Sequence, residues 1–270
     1  MIISDRELSQ RLERTEARAN ADFVETRARL DPEFGAAWIE VGGAYAMYDG
    51  QESPLTQTFG LGIFEDITPE YLDEIEEFYS ERDSSVFHEI SPMIDASHME
   101  LLSSRGYQPI ELTSVMYREL AGGVTKRERH ADLTTRVIEP SEVELWARTS
   151  ADAWKTEHEA LGEFMFNFGA VSAQCAGSFP YIAELAGVPI ATGMLFSYDD
   201  ICMLAGASTV PEGRNKGAQT ALLNDRLNFA ASHGCKLATM GASPGSTSQK
   251  NAQKNGFHIA YTRTKWQKIS

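Results

Sequence analysis

The segment STVPEGRNKGAQTALL, residues 208–223, decides how this chain is read. It follows ICMLA at 201–205, an apolar run that reads as the end of a strand. Pro211 and Gly213 mark a turn. Arg214, Asn215, Lys216 and Gly217 then form a basic, glycine-containing loop. Ala221, Leu222, Leu223 and Leu227 begin the apolar face of a helix. A strand, a basic loop and a helix N-terminus in that order make an anion site. The first helical turn has N–H groups without partners and the positive end of the helix dipole. Gly217 lets a phosphate come close to the backbone. On these residues alone an ordinary strand–helix connection with two solvated cations stays open, because one glycine and two cations carry little motif information.

The flanks extend the pattern. Residues 181–185 and 188–196 read as strands joined by a tight turn at Ala186-Gly187, and a further turn at 198–200 leads into the strand before the loop. Residues 236–240 read as another strand. A polar helix at 248–255 stops at Gly256-Phe257, and a last strand covers 258–266. This order resembles the GCN5-related N-acetyltransferase family, which transfers acetyl groups from acetyl-CoA to amines. The family's pyrophosphate motif, Arg/Gln-x-x-Gly-x-Gly/Ala, is matched by Arg214 and Gly217 at the right spacing, with Gln219 at the second small position. The Val-x-Pro before the loop corresponds to Thr209-Val210-Pro211, and the family's Gly-Phe to Gly256-Phe257. The resemblance covers roughly the second half of the chain.

The resemblance implies an α/β (α+β) fold of acyl-CoA N-acyltransferase type, a mixed and mostly antiparallel central sheet flanked by helices. It implies that the backbone of Ala207, Ser208, Thr209 and Val210 takes the pantetheine arm of acetyl-CoA. The loop residues Arg214, Asn215, Lys216, Gly217, Ala218, Gln219 and Thr220 would hold the pyrophosphate, and Asn251 is a further expected cofactor contact. Gln219 is bulkier than the family's residue there, so it either crowds the phosphate or turns its amide outward.

The first half of the chain echoes the second. Ser4-Asp-Arg-Glu7 reads as a capping box opening a long charged helix that ends at Asp31-Pro32. Strands are expected at 37–41, 56–64, 85–90 and 110–117, with helices from Thr68-Pro69 and over 99–104. The half closes with strand, Ser91-Pro92, helix, Gly106-Tyr107, strand. The second half closes with strand, Ser243-Pro244, helix, Gly256-Phe257, strand. Tandem copies of one fold are therefore expected, over 1–122 and 132–270. Residues 121–131 read as the linker, and Ser141-Glu-Val-Glu144 as a second capping box. The first copy's connection, FEDITP at 64–69, has two carboxylates and no glycine, so this copy is expected to be degenerate and without cofactor.

Composition bounds the rest. The chain has 270 residues, 42% of them hydrophobic and 10% aromatic, ample for packed cores. A formal charge of −15 argues against nonspecific nucleic-acid binding, which needs a cationic surface. Asp5, Arg6 and Glu7 come at once, and no run is long enough to span a bilayer, so a cytoplasmic protein with no membrane partner is expected. Cys175, Cys202 and Cys235 are read as reduced thiols without metal-ligand spacing, and no metal is expected. A monomer or homodimer acting on a small-molecule amine or peptide is anticipated.

The catalytic groups are less legible. Many family members carry a tyrosine acid four residues before the Gly of Gly-Phe, where this chain has Ala252. A carboxylate base often lies on the strand before the loop, and 201–205 has none. Substitutes are sought in WKTEHE at 154–159, where His158 has a suitable ordinary pKa, and in Glu163 and Glu184. Of these, His158 and Glu184 are taken as the candidate catalytic residues. Phe164, Phe166 and Phe168 read as core or lid, and Tyr261 as core. Without the usual acid and base, a noncatalytic acetyl-CoA sensor or scaffold is the rival reading.

Overall fold

The computed structural model describes residues 2–121, 129–155 and 161–269. In chain order the first elements are α1 (Arg6–Leu30), β1 (Ala37–Val41), β2 (Ala44–Tyr48), β3 (Thr58–Phe59), α2 (Pro69–Ser80), β4 (Phe87–Ile90), α3 (Ala96–Ser104) and β5 (Tyr107–Glu119). Then come β6 (Leu133–Val137), α4 (Val143–Trp154), α5 (Leu161–Ser172), β7 (Ser178–Leu185), β8 (Val188–Tyr198) and β9 (Ile201–Thr209). The last are α6 (Ala218–Ser232), β10 (Leu237–Ala242), α7 (Thr247–Lys254) and β11 (His258–Lys268). The fold is α/β, with mostly antiparallel strands flanked by helices.

Two compact units form, one from 1–118 with 239–270 and the other from 119–238. This differs from the consecutive halves expected at 1–122 and 132–270. The reason is β11. It lies between β4 and β5, antiparallel to both, with Trp266 opposite His88 and His258 opposite Tyr117. Its hydrogen bonds on both edges tie the C-terminal segment to the first unit.

In that first unit β1, β2 and β3 are antiparallel neighbours and β3 runs parallel to β4. Helix α1 lays Ala17, Ala21 and Val24 against Tyr45, Met47 and Phe59. A larger core gathers Leu72, Ile75 and Phe78 of α2 with Ile63, Ile90, Leu102, Tyr107 and Trp266. The strand expected at 56–64 is only Thr58–Phe59. Gly60 and Gly62 take φ of 80° and 78°, which an extended strand cannot accommodate, so the chain turns away early. The connection to α2 therefore contains two glycines, contrary to the glycine-free reading. Strands β2 and β6 were not anticipated. The long helix is capped by Asp5 rather than Ser4, because the Asp5 carboxylate accepts from the Leu8 N–H. Thr68 caps α2 as expected, accepting from Tyr71.

The second unit contains an antiparallel meander, β6 to β7 to β8 to β9. Ala186 and Gly187, both at positive φ, make the tight turn between β7 and β8. Its capping box lies at Glu139 and Glu142, around Pro140, not at Ser141 and Glu144. Helix α6 packs Ala218, Ala221 and Leu222 on Tyr181, Ala183, Ile190 and Ala191. The linker reading at 121–131 falls mostly outside the described residues.

Candidate active site

The second unit builds its site where β9 ends. Up to Ala205 the β8/β9 ladder is regular, with Met194 opposite Ala205, but Thr192 faces Ser208. Two residues of β9, Gly206 and Ala207, thus face one residue of β8, Gly193. This is a β-bulge, and Gly206 provides its left-handed residue at φ 60°. The bulge breaks the ladder and bends β9, leaving Gly206 and Ala207 exposed. Ser208 is buried beyond it. Its Oγ lies 2.7 Å from Thr192 Oγ1 and 3.5 Å from Ser150 Oγ.

After β9, Val210, Pro211 and Gly213 make a single 3₁₀ turn, closed by the Gly213 N–H on the Val210 carbonyl. Arg214, Asn215, Lys216 and Gly217 are all exposed. Gly217 caps α6 at φ 81°, and a Cβ placed on it would meet nothing within 4 Å. The first N–H of this helix with a backbone partner is that of Ala221, on the Gly217 carbonyl. The N–H groups of 218–220 lie ahead of it, at the positive end of a 15-residue helix. An open, left-handed glycine, an exposed basic loop and a helix N-terminus together make a place where an anion such as a pyrophosphate would fit.

Gln219 does neither of the two things expected of it: its amide turns inward, where strand carbonyls offer acceptors. Its Nε2 donates to the Ser208 carbonyl at 2.7 Å, to the Thr192 carbonyl at 3.2 Å and to Thr209 Oγ1 at 3.0 Å. The phosphate approach is not crowded by this side chain.

Arg226 went unnoticed in the sequence. It is 3% exposed and lies beside the bulge. Its Nη1 donates to the Met194 carbonyl at 2.9 Å and the Ala205 carbonyl at 3.3 Å, and its Nε to the Leu222 carbonyl at 3.2 Å. Burial lowers its pKa to about 10, which leaves it charged at neutral pH. Its position was a legible signal. Arg226 stands four residues after Leu222 and eight after Ala218, on the face that packs inward.

The candidate catalytic residues are less favourably placed. Glu184, on β7, is held by Arg136 at 2.9 Å, and Arg136 also grips Glu142 at 2.6 Å. The Arg136 guanidinium and the Glu139 N–H lower Glu142 to about 2. His158 lies outside the described residues. Asn251 is exposed on α7, in the first unit. Tyr261 is buried there, donating to Glu13 at 2.8 Å. Phe166 lies under the Arg148 guanidinium at 4.0 Å, and Phe164 and Phe168 are ring neighbours at 5.8 Å. Ala252 is buried in α7. No group of three or more potential metal ligands occurs among the described residues, and no helix among them is long and apolar enough to cross a membrane.

No family model and no curated protein matches this chain. Solved structures do. A GCN5-related N-acetyltransferase from Kribbella flavida superposes with a TM-score of 0.67 at 17% identity, covering 94% of this chain and 95% of that one. A GCN5-related N-acetyltransferase from Sphaerobacter thermophilus gives 0.56 at 16% identity, over 83% and 76%. A tandem GNAT protein from the clavulanic acid biosynthesis pathway gives 0.58 at 12% identity, over 98% and 96%. The chain thus has the fold of the GCN5-related N-acetyltransferases, a fold that also occurs in a tandem protein.

Proposed function

We propose that this protein is an acetyl-CoA-dependent N-acetyltransferase of the GCN5-related family, acting on the primary amine of a small molecule or peptide. The observation that carries this reading is the end of β9, a bulged strand followed by an open basic loop and a helix N-terminus on an acetyltransferase fold. Acetyl-CoA would supply an activated thioester. The backbone of 207–210 would lie along its pantetheine arm. The N–H groups of 214–220 would take the pyrophosphate, with Arg214 and Lys216 adding positive charge. Asn251 is a further proposed contact, and His158 and Glu184 are proposed aids to deprotonation of the acceptor. The first unit would bind no CoA, and the protein would work in the cytoplasm as a monomer or homodimer, without metal, nucleic acid or membrane.

Transfer needs a neutral amine, donors at the developing oxyanion, and a leaving thiolate. A thiol of ordinary pKa, about 8.5, leaves near neutral pH without a strong acid. Two observations favour a noncatalytic acetyl-CoA binder instead. Strand β9 carries no carboxylate, and Ala252 stands where the family resemblance calls for tyrosine. Calorimetry with acetyl-CoA, followed by thiol release over a panel of amines, separates the readings. Binding with amine-dependent CoA release supports the transferase, binding without release supports the sensor, and no binding removes both.

A further inference from the structure

Two of the polar side chains of helix α6, Gln219 and Arg226, stand seven residues apart. In an α-helix that spacing returns to nearly the same face. Both reach the β8/β9 bulge, from its two sides. Gln219 donates to the carbonyls of Thr192 and Ser208, beyond the bulge. Arg226 donates to those of Met194 and Ala205, before it. Only the Nε2 end of the Gln219 amide suits that position, because its oxygen would face two carbonyls. A bulge disrupts the ladder at Gly193, Gly206 and Ala207, and the four carbonyls that α6 reaches belong to the residues paired on either side of it, Thr192 with Ser208 and Met194 with Ala205. The helix donors thus hold both flanking pairs. Gly193 completes the arrangement. A Cβ there would lie 2.7 Å from Arg226 Cζ, so the guanidinium fills the space that glycine leaves.

We propose that Gln219 and Arg226 are positioning residues. They clamp both sides of the bulge to α6 and so fix the direction of 207–210, the backbone segment assigned to the pantetheine arm. Neither side chain touches the ligand; Gln219 offers the pyrophosphate only its backbone N–H. This inference rests on the acetyl-CoA reading above. It also accounts for a large residue at the motif's second small position: the amide binds strand carbonyls and leaves the phosphate side clear.

The test compares two ligands. Acetyl-CoA engages both loop and strand segment, whereas 3′-phosphoadenosine 5′-diphosphate, its nucleotide part, engages the loop alone. Gln219→Ala and Arg226→Lys are titrated with each by calorimetry, alongside wild type. Losing one or two buried hydrogen bonds should weaken acetyl-CoA about tenfold in each variant, with nucleotide affinity within twofold of wild type. Gln219→Glu, which cannot donate and repels the carbonyls, should weaken acetyl-CoA further. Equal weakening of both ligands would mean a merely structural role and overturn the proposal, as would unchanged acetyl-CoA affinity in Gln219→Ala and Arg226→Lys. If Arg226→Lys fails to fold, Gln219→Ala decides alone. Wild type that binds neither ligand would overturn the acetyl-CoA reading itself, and this inference with it.

Discussion

Two loops in this molecule run from a strand to a helix, and they are put to different use. In the first unit, residues 60–68 are packed shut. Arg6 donates to the carbonyls of Ile63 at 3.1 Å and Gly62 at 3.3 Å, and Gln10 to that of Ile63 at 2.8 Å. A Cβ on Gly60 would lie 2.8 Å from the Phe64 ring, and one on Gly62 3.0 Å from Ile67. In the second unit, residues 214–217 are open, and a Cβ on Gly217 would meet nothing within 4 Å. Similar element order and similar left-handed glycines thus give opposite results. In one loop the carbonyls are taken up by two side-chain donors of α1, Arg6 and Gln10. In the other, exposed cations and helix N–H groups surround open space.

The sharpest way to break this comparison is to put the same residue into both loops. Valine at either glycine carries left-handed strain of about 1–2 kcal/mol. Gly217→Val should also block the phosphate and lower acetyl-CoA affinity at least about a hundredfold, the loss of two or more charge-assisted hydrogen bonds. Gly60→Val should leave that affinity alone and lower stability by about 3 kcal/mol or more, because overpacking against Phe64 adds to the strain. Calorimetry and urea unfolding read the two effects. Wild type should bind one acetyl-CoA per chain. A stoichiometry of two, or equal ligand loss in both variants, would show that the first loop is not closed.

The two units also differ in how they bury charge. Arg226 is satisfied by carbonyls. In the first unit Arg263 faces three carboxylates: Glu13 at 3.2 Å, Glu16 at 2.7 Å and Glu89 at 2.9 Å. Lys265 lies 3.6 Å from Glu89, and the Tyr261 hydroxyl donates to Glu13. The carboxylates outnumber the nearby cations, and Glu13 is the most deeply buried of the three. Burial pushes it up to about 7 from an ordinary 4.5, despite Arg263. The folded state therefore keeps a proton that the unfolded chain gives up between those values. Stability from this group is full below about pH 4.5 and is lost as pH rises towards 7, by roughly 3 kcal/mol. Urea unfolding from pH 4.5 to 7.5 should show that decline, and Glu13→Gln should flatten it. An unchanged slope in Glu13→Gln would mean that Glu13 stays ionised beside Arg263.

Much of this was legible in the sequence because it is local. Helix α2 with its Thr68 cap, the Ala186-Gly187 turn, the basic loop and the strand before it all follow from short-range pattern. What escaped was set by distant partners. Strand β6 is held by pairing with β7, some fifty residues on, and β2 lies in a short apolar run between glycines. The short β3 reflects two glycine φ values that composition does not fix. The assignment of β11 to the first unit depends on edge pairing, which periodicity cannot reveal. At the site the loop could be read, but the inward turn of Gln219 could not, since a glutamine carries no signal of which carbonyls it will meet. Arg226 was readable as a charge on an apolar helix face.

The smallest expected effect concerns Ala252, at the position where the family resemblance calls for a tyrosine acid. If only the missing phenol limited turnover, Ala252→Tyr would raise it. The structure argues otherwise. Ala252 is 3% exposed, and its carbonyl accepts the N–H of Phe257 at the turn after α7. A ring there must displace packed neighbours, at a cost of about 1–2 kcal/mol. The variant should melt several degrees lower without faster amine acetylation. Wild type should meanwhile show a rate that rises with pH as the acceptor ammonium deprotonates, with no fall above neutrality while the protein stays folded. Such a fall would reveal an essential acid among residues not assigned to proton transfer. A faster Ala252→Tyr would show that the buried alanine has more room than its packing indicates.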